Sequence, residues 1–157
     1  MRVIAIDPGE SFGLAVANVT DALRVEHFGI VKAKRFLLGF YEFAHDFDFV
    51  IYERYTVRAD KLEANVGTSV PTLQYIGMIR FCAWQAQLRR GDGRPTLVDQ
   101  APSLQTKGIG AAKVLSPGEY YPIIKDGYDG PHDEGHHASA LAHLFAWYYD
   151  LTLGDPA

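Results

Sequence analysis

Residues 2–17 read RVIAIDPGESFGLAVA, and this stretch decides the fold class. A short β-branched run, Arg2 to Ile6, stops at Asp7-Pro8-Gly9, where proline fixes one backbone angle and glycine permits a tight turn. Gly13 to Ala17 then resumes an apolar strand, and Val25 to Val31 reads as a third, so the chain opens as a meander of three strands. Working outward, Lys34 to Asp46 sets Leu37, Phe40, Tyr41 and Ala44 at helical spacing. The apolar run Phe49 to Tyr52 that follows has the character of a buried strand.

This βββαβ order places the chain in the α/β class. Tyr55 to Thr68 is polar and aperiodic and reads as a long loop. A helix is expected over about Pro71 to Leu88, ended by Arg89 to Arg94 with its two glycines. The apolar residues of that helix, among them Leu73, Ile76, Phe81 and Trp84, do not fall on one face, which leaves a face for a partner. Thr96 to Val98 is a short strand, Asp99 to Gly130 has no clear assignment, and His136 to Tyr149 should be a buried terminal helix.

The chain has 157 residues, 48% of them hydrophobic, which suits one globular domain over 1–157. No repeat or low-complexity tract divides it. The apolar stretch at its start is too short for a secretion signal, and no segment reaches the roughly 18 apolar residues of a membrane span. A soluble, cytoplasmic protein without membrane contact is expected. The one cysteine, Cys82, has apolar neighbours and no activating base beside it, so it reads as core filler.

Net charge is −4, which by itself disfavours a nucleic-acid partner. Its distribution argues otherwise: residues 1–53 hold 5 Lys/Arg against 8 Asp/Glu, residues 54–113 hold 9 against 4, and residues 114–157 hold 1 against 7. A basic middle between acidic ends is what a polyanion-gripping surface around a metal site would give, and equally what a solvated charge pattern would give.

Asp7 follows the first strand directly, and Glu53 stands in the same relation to the run Phe49 to Tyr52. If those strands are neighbours, both carboxylates converge at one sheet edge, where like charges call for a divalent cation. An ordinary β-turn at Asp7 and an ion pair of Glu53 with Arg54 or Arg58 are the alternatives. A third cluster, Gly130-Pro131-His132-Asp133-Glu134-Gly135-His136-His137, opens the terminal helix. Asp133, His136 and His137 would share a helical face, although Asp133 or Glu134 is also suited to cap the helix. Three histidines, two acids and no cysteine fit a catalytic divalent ion better than a structural zinc.

Together Ile6-Asp7-Pro8-Gly9 with Gly13, and Ile51-Tyr52-Glu53-Arg54, resemble the opening of RuvC-like Holliday junction resolvases. Leu73-Gln74-Tyr75-Ile76-Gly77-Met78-Ile79-Arg80 resembles that family's Leu-x-x-x-Gly-x-x-Arg helix, and Ala140-Leu141-Ala142 resembles the triplet after its last acidic pair. The family's final block departs here: His136 matches an accepted variant, but Ser139 stands where an acid is expected. The resemblance implies an RNase H-like fold, a mixed five-stranded sheet with flanking helices. It implies a metal-dependent endonuclease that nicks branched DNA with two Mg²⁺ or Mn²⁺ ions roughly 3.5 to 4 Å apart, leaving a 5′ phosphate. Asp7 would bridge both ions, Glu53 would hold one, and His136 with Asp133 or Glu134 would complete the set.

A two-fold homodimer matching a four-way junction is also implied. Tyr55, Arg58 and Lys61, together with Arg80 and Lys107, are the candidate DNA contacts. Compact size and the altered last motif are compatible with a phage-encoded resolvase, acting in the host-cell cytoplasm. An actin- or hexokinase-like ATPase shares the Asp-x-Gly opening but needs a second such domain, for which 157 residues leave no room. The competing expectation is a YqgF-like nucleic-acid-binding or RNA-processing relative whose nuclease activity is altered or lost.

Overall fold

The computed structural model describes residues 1–55, 71–127 and 135–154, with backbone alone at 128 and 129. Five strands, β1 (Arg2–Asp7), β2 (Ser11–Val19), β3 (Leu23–Lys32), β4 (Phe49–Glu53) and β5 (Thr96–Gln100), form one sheet in the order β3-β2-β1-β4-β5. The meander β1-β2-β3 is antiparallel, whereas β4 and β5 add in parallel to the other side of β1. This is the expected mixed sheet. Among the described residues five α-helices cover it: α1 (Ala33–Phe43), α2 (Pro71–Arg90), α3 (Leu104–Leu115), α4 (Tyr120–Asp129) and α5 (His136–Thr152).

Strand alternation sorts the core into two. Ile4, Ile6, Phe12, Leu14, Val50 and Tyr52 face α1 and α2, where Phe36, Leu37, Phe40, Ile79 and Cys82 close the layer. Phe36 and Phe40 stack with centroids 4.9 Å apart, and Phe12 meets Phe36 at 5.5 Å. Val3, Ala5, Ala15, Ala17 and Ile51 face the other way, against α3, α4 and α5.

Small residues let that second layer close tightly. A Cβ on Gly13 would lie 1.8 Å from the carbonyl oxygen of His136, and one on Gly108 would lie 1.9 Å from that of Ala142. Both positions therefore demand glycine, and they seat α5 directly on the sheet and on α3. The run Ala138 to Trp147 of α5 is buried throughout.

Several expectations shift at their margins. Helix α1 is followed by a 3₁₀ turn over Ala44–Asp46, and Phe36 rather than Tyr41 faces the core; Tyr41 is exposed. Helix α2 runs to Arg90, two residues past the expected end at Leu88, and stops at Gly91 and Gly93, whose φ of +72° and +76° is a conformation that L side chains rarely adopt. The unassigned stretch after Asp99 contains α3 and α4. Residues 56–70, which hold the expected loop with Arg58 and Lys61, and residues 130–134, with Asp133 and Glu134, lie outside the described residues. Cys82 is buried and burial raises its pKa, as suits a core thiol. Among the described residues no helix is long and apolar enough to cross a membrane.

Candidate active site

Strand parity brings the site together. The β1–β4 ladder pairs Val3 with Phe49 and Ile6 with Tyr52, so Asp7 and Glu53 occupy the next step of two adjacent parallel strands. Each has the parity of the residues facing α5 (Val3 and Ala5 for Asp7, Phe49 and Ile51 for Glu53), so both carboxylates turn toward that helix. Across β5, Glu53 pairs with Gln100, which has the same parity as Val98 on the α5 side. Asp99 has the opposite parity, and its carboxylate binds Arg54 at 2.8 Å. That ion pair removes Arg54 as a partner for Glu53 and leaves Asp99 outside the site.

Helix α5 presents His136, Ser139 and His143 to these strand ends. His136 Nδ1 lies 2.7 Å from Asp7 Oδ2 at the mouth of the site. Deeper in, His143 has no solvent exposure; its Nε2–H donates to Glu53 Oε2 at 2.9 Å, and its Nδ1 stands 2.6 Å from Gln100 Oε1. Gln105, one turn before Gly108 on α3, donates from Nε2 to the same Glu53 oxygen at 2.6 Å and meets Ser139 Oγ at 2.6 Å. The Ser139 hydroxyl adds a longer contact to Glu53 Oε2, 3.3 Å.

These surroundings push the two carboxylates apart in acidity. Burial raises the Asp7 pKa, and the nearby Glu53 charge adds to the rise; the hydrogen bond and charge of His136 offset only part of it. Burial also works to raise Glu53, but there the His143 hydrogen bond and charge, with Gln105 and Ser139, prevail and hold the pKa below its ordinary value. In front of both lies an open cleft of about 760 Å³ whose walls include Lys32, Tyr55, Thr72 and Gln105.

The residue chemistry fits one divalent ion. Two largely buried carboxylates, with side-chain exposures of 12% and 19%, have no Lys or Arg partner among the described residues. Adjacent donors on one ion, at bonds of roughly 2.1 Å, lie about 3 Å apart, close to the 2.7 Å between Asp7 Oδ2 and His136 Nδ1. The same residues do not fit a second ion, because Ser139 supplies no charge and Glu53 Oε2 is taken up by protein donors. Among the described residues no three His, Cys, Asp or Glu side chains are placed so that they could hold a metal ion as they stand.

Of the expected site residues, Asp7, Glu53, His136 and Tyr55 meet at the cleft. Arg80 lies against the Trp84 ring on α2, and Lys107 pairs with Asp150 on α5, so neither lines the cleft. His137 stacks on Phe28 instead of joining His136. Sequence reasoning missed Gln100, Gln105 and His143. The spacing His136-Ser139-His143 on one helix was the available signal for His143.

No family model matches the chain, and no curated protein matches it. Solved structures do. Thermus thermophilus RuvC in complex with a Holliday junction substrate superposes with TM-score 0.60 at 20% identity, covering 98% of this chain and 97% of that one. The fold is that of RuvC. T. thermophilus RuvC alone gives 0.59 at 20% identity over 99% and 98% of the two chains. The yeast mitochondrial Holliday junction resolvase Ydc2 gives 0.56 at 12% identity over 93% and 77%. The RuvC fold is RNase H-like, and the sheet order and flanking helices described above are its expression in this chain.

Proposed function

We propose that the chain is a divalent-metal-dependent, structure-selective endonuclease that nicks Holliday junctions or other branched DNA. The observation that carries this reading is the meeting of Asp7 and Glu53 on the α5 side of two neighbouring strand ends, beneath His136, in a chain with the RuvC fold. Asp7, Glu53 and His136 would hold Mg²⁺ or Mn²⁺, with Asp133 or Glu134 as a further ligand from outside the described residues. Such an ion supplies Lewis acidity toward the scissile phosphate and the attacking water.

The chain's own groups set the stage for that chemistry. Before an ion enters, the His136 ring is held to Asp7 by a hydrogen bond, and the donors around Oε2 keep Glu53 ionised. Lys32, hydrogen-bonded to Ser11 at 3.0 Å on the cleft wall, is placed to receive a phosphate, and Tyr55 offers a ring for an unstacked base. Arg58 and Lys61 are further proposed DNA contacts. Arg80 and Lys107 would reach only DNA arms that run beyond the cleft.

Two symmetric nicks need two sites, and a second copy is the proposed partner. Leu38 and Tyr41 of α1 with Met78, Phe81 and Trp84 of α2 form an exposed apolar face suited to a two-fold contact. Ser139 in place of an acid favours one other reading, a YqgF-like nucleic-acid-binding or RNA-processing protein with altered or lost cleavage. The deciding experiment offers Mn²⁺ and a synthetic four-way junction, a linear duplex and an RNA–DNA hybrid. Selective nicking of the junction to 5′-phosphate ends is expected. Junction binding without nicking would select the other reading, and absence of binding would overturn both.

A further inference from the structure

Glu53 is already served by protein. Three side chains from two helices converge on a single oxygen, Oε2: Gln105 Nε2 at 2.6 Å, His143 Nε2 at 2.9 Å and Ser139 Oγ at 3.3 Å. The donors are themselves braced, since Gln105 also meets Ser139 and the His143 ring is pinned from its other side by Gln100 at 2.6 Å. Among the described residues no buried side-chain nitrogen or oxygen lacks a hydrogen-bond partner, so Oε2 and its donors form a satisfied network in which a second ion would have to displace a protein contact.

Charge argues the same way. The two largely buried carboxylates of the described site balance one divalent ion. A second would sit beside an amide N–H and an imidazole N–H with no further carboxylate among the described residues to compensate it, a costly arrangement in a desolvated site. The donors give that oxygen the positive potential that an ion would otherwise supply. Resting on the metal-dependent reading above, we propose that the free protein takes up a single divalent ion on the Asp7 side, and that Gln105, Ser139 and His143 replace a second ion by hydrogen-bonding Glu53. Gln105 and His143 are then positioning residues: they fix and charge Glu53 through contacts that need no metal.

Counting ions tests this without reference to cleavage. Metal-free protein is titrated with MnCl₂ in the absence of DNA, and unbound Mn²⁺ is read by its electron paramagnetic resonance signal. The wild-type chain should bind one Mn²⁺. Gln105→Glu, which swaps the donating amide for an isosteric carboxylate, should bind two, and so should Ser139→Asp, which restores an acid at the helix position. A thermal melt establishes that each variant is folded, and either one alone suffices for the comparison. Two ions on the wild type would overturn the proposal, as would a folded variant that still binds one. No ion on the folded wild type would strike down the metal-dependent reading itself, an outcome distinguished by the count.

Discussion

Asp7 and Glu53 occupy equivalent steps of adjacent parallel strands and face the same helix, yet their surroundings are opposite. Among the described residues Asp7 is hydrogen-bonded by the first residue of α5, at the mouth of the cleft, and burial leaves its pKa raised. Glu53 meets the next two turns of α5 and the start of α3, and their donors leave its pKa lowered. One carboxylate waits for an external cation, and the other is kept ionised by the protein. Two carboxylates at equivalent strand positions thus acquire different tasks from the helix that crosses them.

Cleavage breaks the comparison most severely. Asp7→Asn and Glu53→Gln should each abolish junction nicking, losing several kcal/mol of transition-state stabilisation, on the order of 10³-fold or more. Junction binding should persist or tighten, because each change removes a negative charge facing phosphate. Single-turnover nicking and a gel-shift titration measure the two effects, and normal turnover in a variant would discard the substituted residue as a ligand.

Gln105→Ala should sharpen the comparison, because it removes a donor from Glu53 and leaves Asp7 untouched. Losses of about 10- to 100-fold in activity or metal affinity are typical when a residue that orients a ligand is removed. With one donor fewer, the Glu53 pKa should rise toward its ordinary value, so the carboxylate protonates at a higher pH. The acid limb of the rate profile should therefore move upward in pH, whereas a merely structural defect would lower the rate at every pH alike.

A third prediction concerns the opposite side of the sheet, where aromatic bulk replaces polar order. Phe81→Glu puts a charge in the exposed face formed by α1 and α2, and should weaken self-association by about 1–3 kcal/mol, or roughly 5- to 150-fold. Each chain should keep its own melting temperature to within a few degrees, since Phe81 is exposed. Sedimentation at micromolar concentration reads the change; a wild type that is monomeric while nicking symmetrically would remove the dimer.

Much of this was legible in the sequence, and the limits have physical causes. The meander, β4 and α5 announced themselves because β-branched alternation, Asp-Pro-Gly and an Ala-rich run are local signals. Asp7 and Glu53 were found because strand-end position is written in the order of residues. Gln100, Gln105 and His143 escaped because an amide or a buried imidazole carries no motif; its task exists only once Gly13 and Gly108 have allowed α5 to settle within reach. Helices α3 and α4 escaped for a related reason. Gly108, Gly110 and Gly127 dilute their helical signal, and at 108 and 127 a Cβ would collide with α5, so tertiary packing overrides propensity.

The smallest expected effect carries the comparison into stability, where the two carboxylates should differ in sign. A raised native pKa at Asp7 means that the metal-free folded state holds its proton longer than the unfolded chain does. Its contribution is full below the ordinary value of 3.8 and is lost as pH rises through the raised value. Asp7→Asn cannot ionise, so in EDTA at neutral pH it should melt above the wild type, with the gap closing in acid. Glu53 is the reverse: its lowered pKa contributes stability at neutral pH that disappears as pH falls through it. Glu53→Gln should therefore melt below the wild type at neutral pH, again converging in acid. An excess of Mn²⁺ at 100 times its Kd stabilises by about 2.7 kcal/mol, or roughly 5–11 °C in a chain of this size. That shift should appear in the wild type and vanish in Asp7→Asn. Melts that move in the same direction for both variants would mean that one environment, not two, governs the pair.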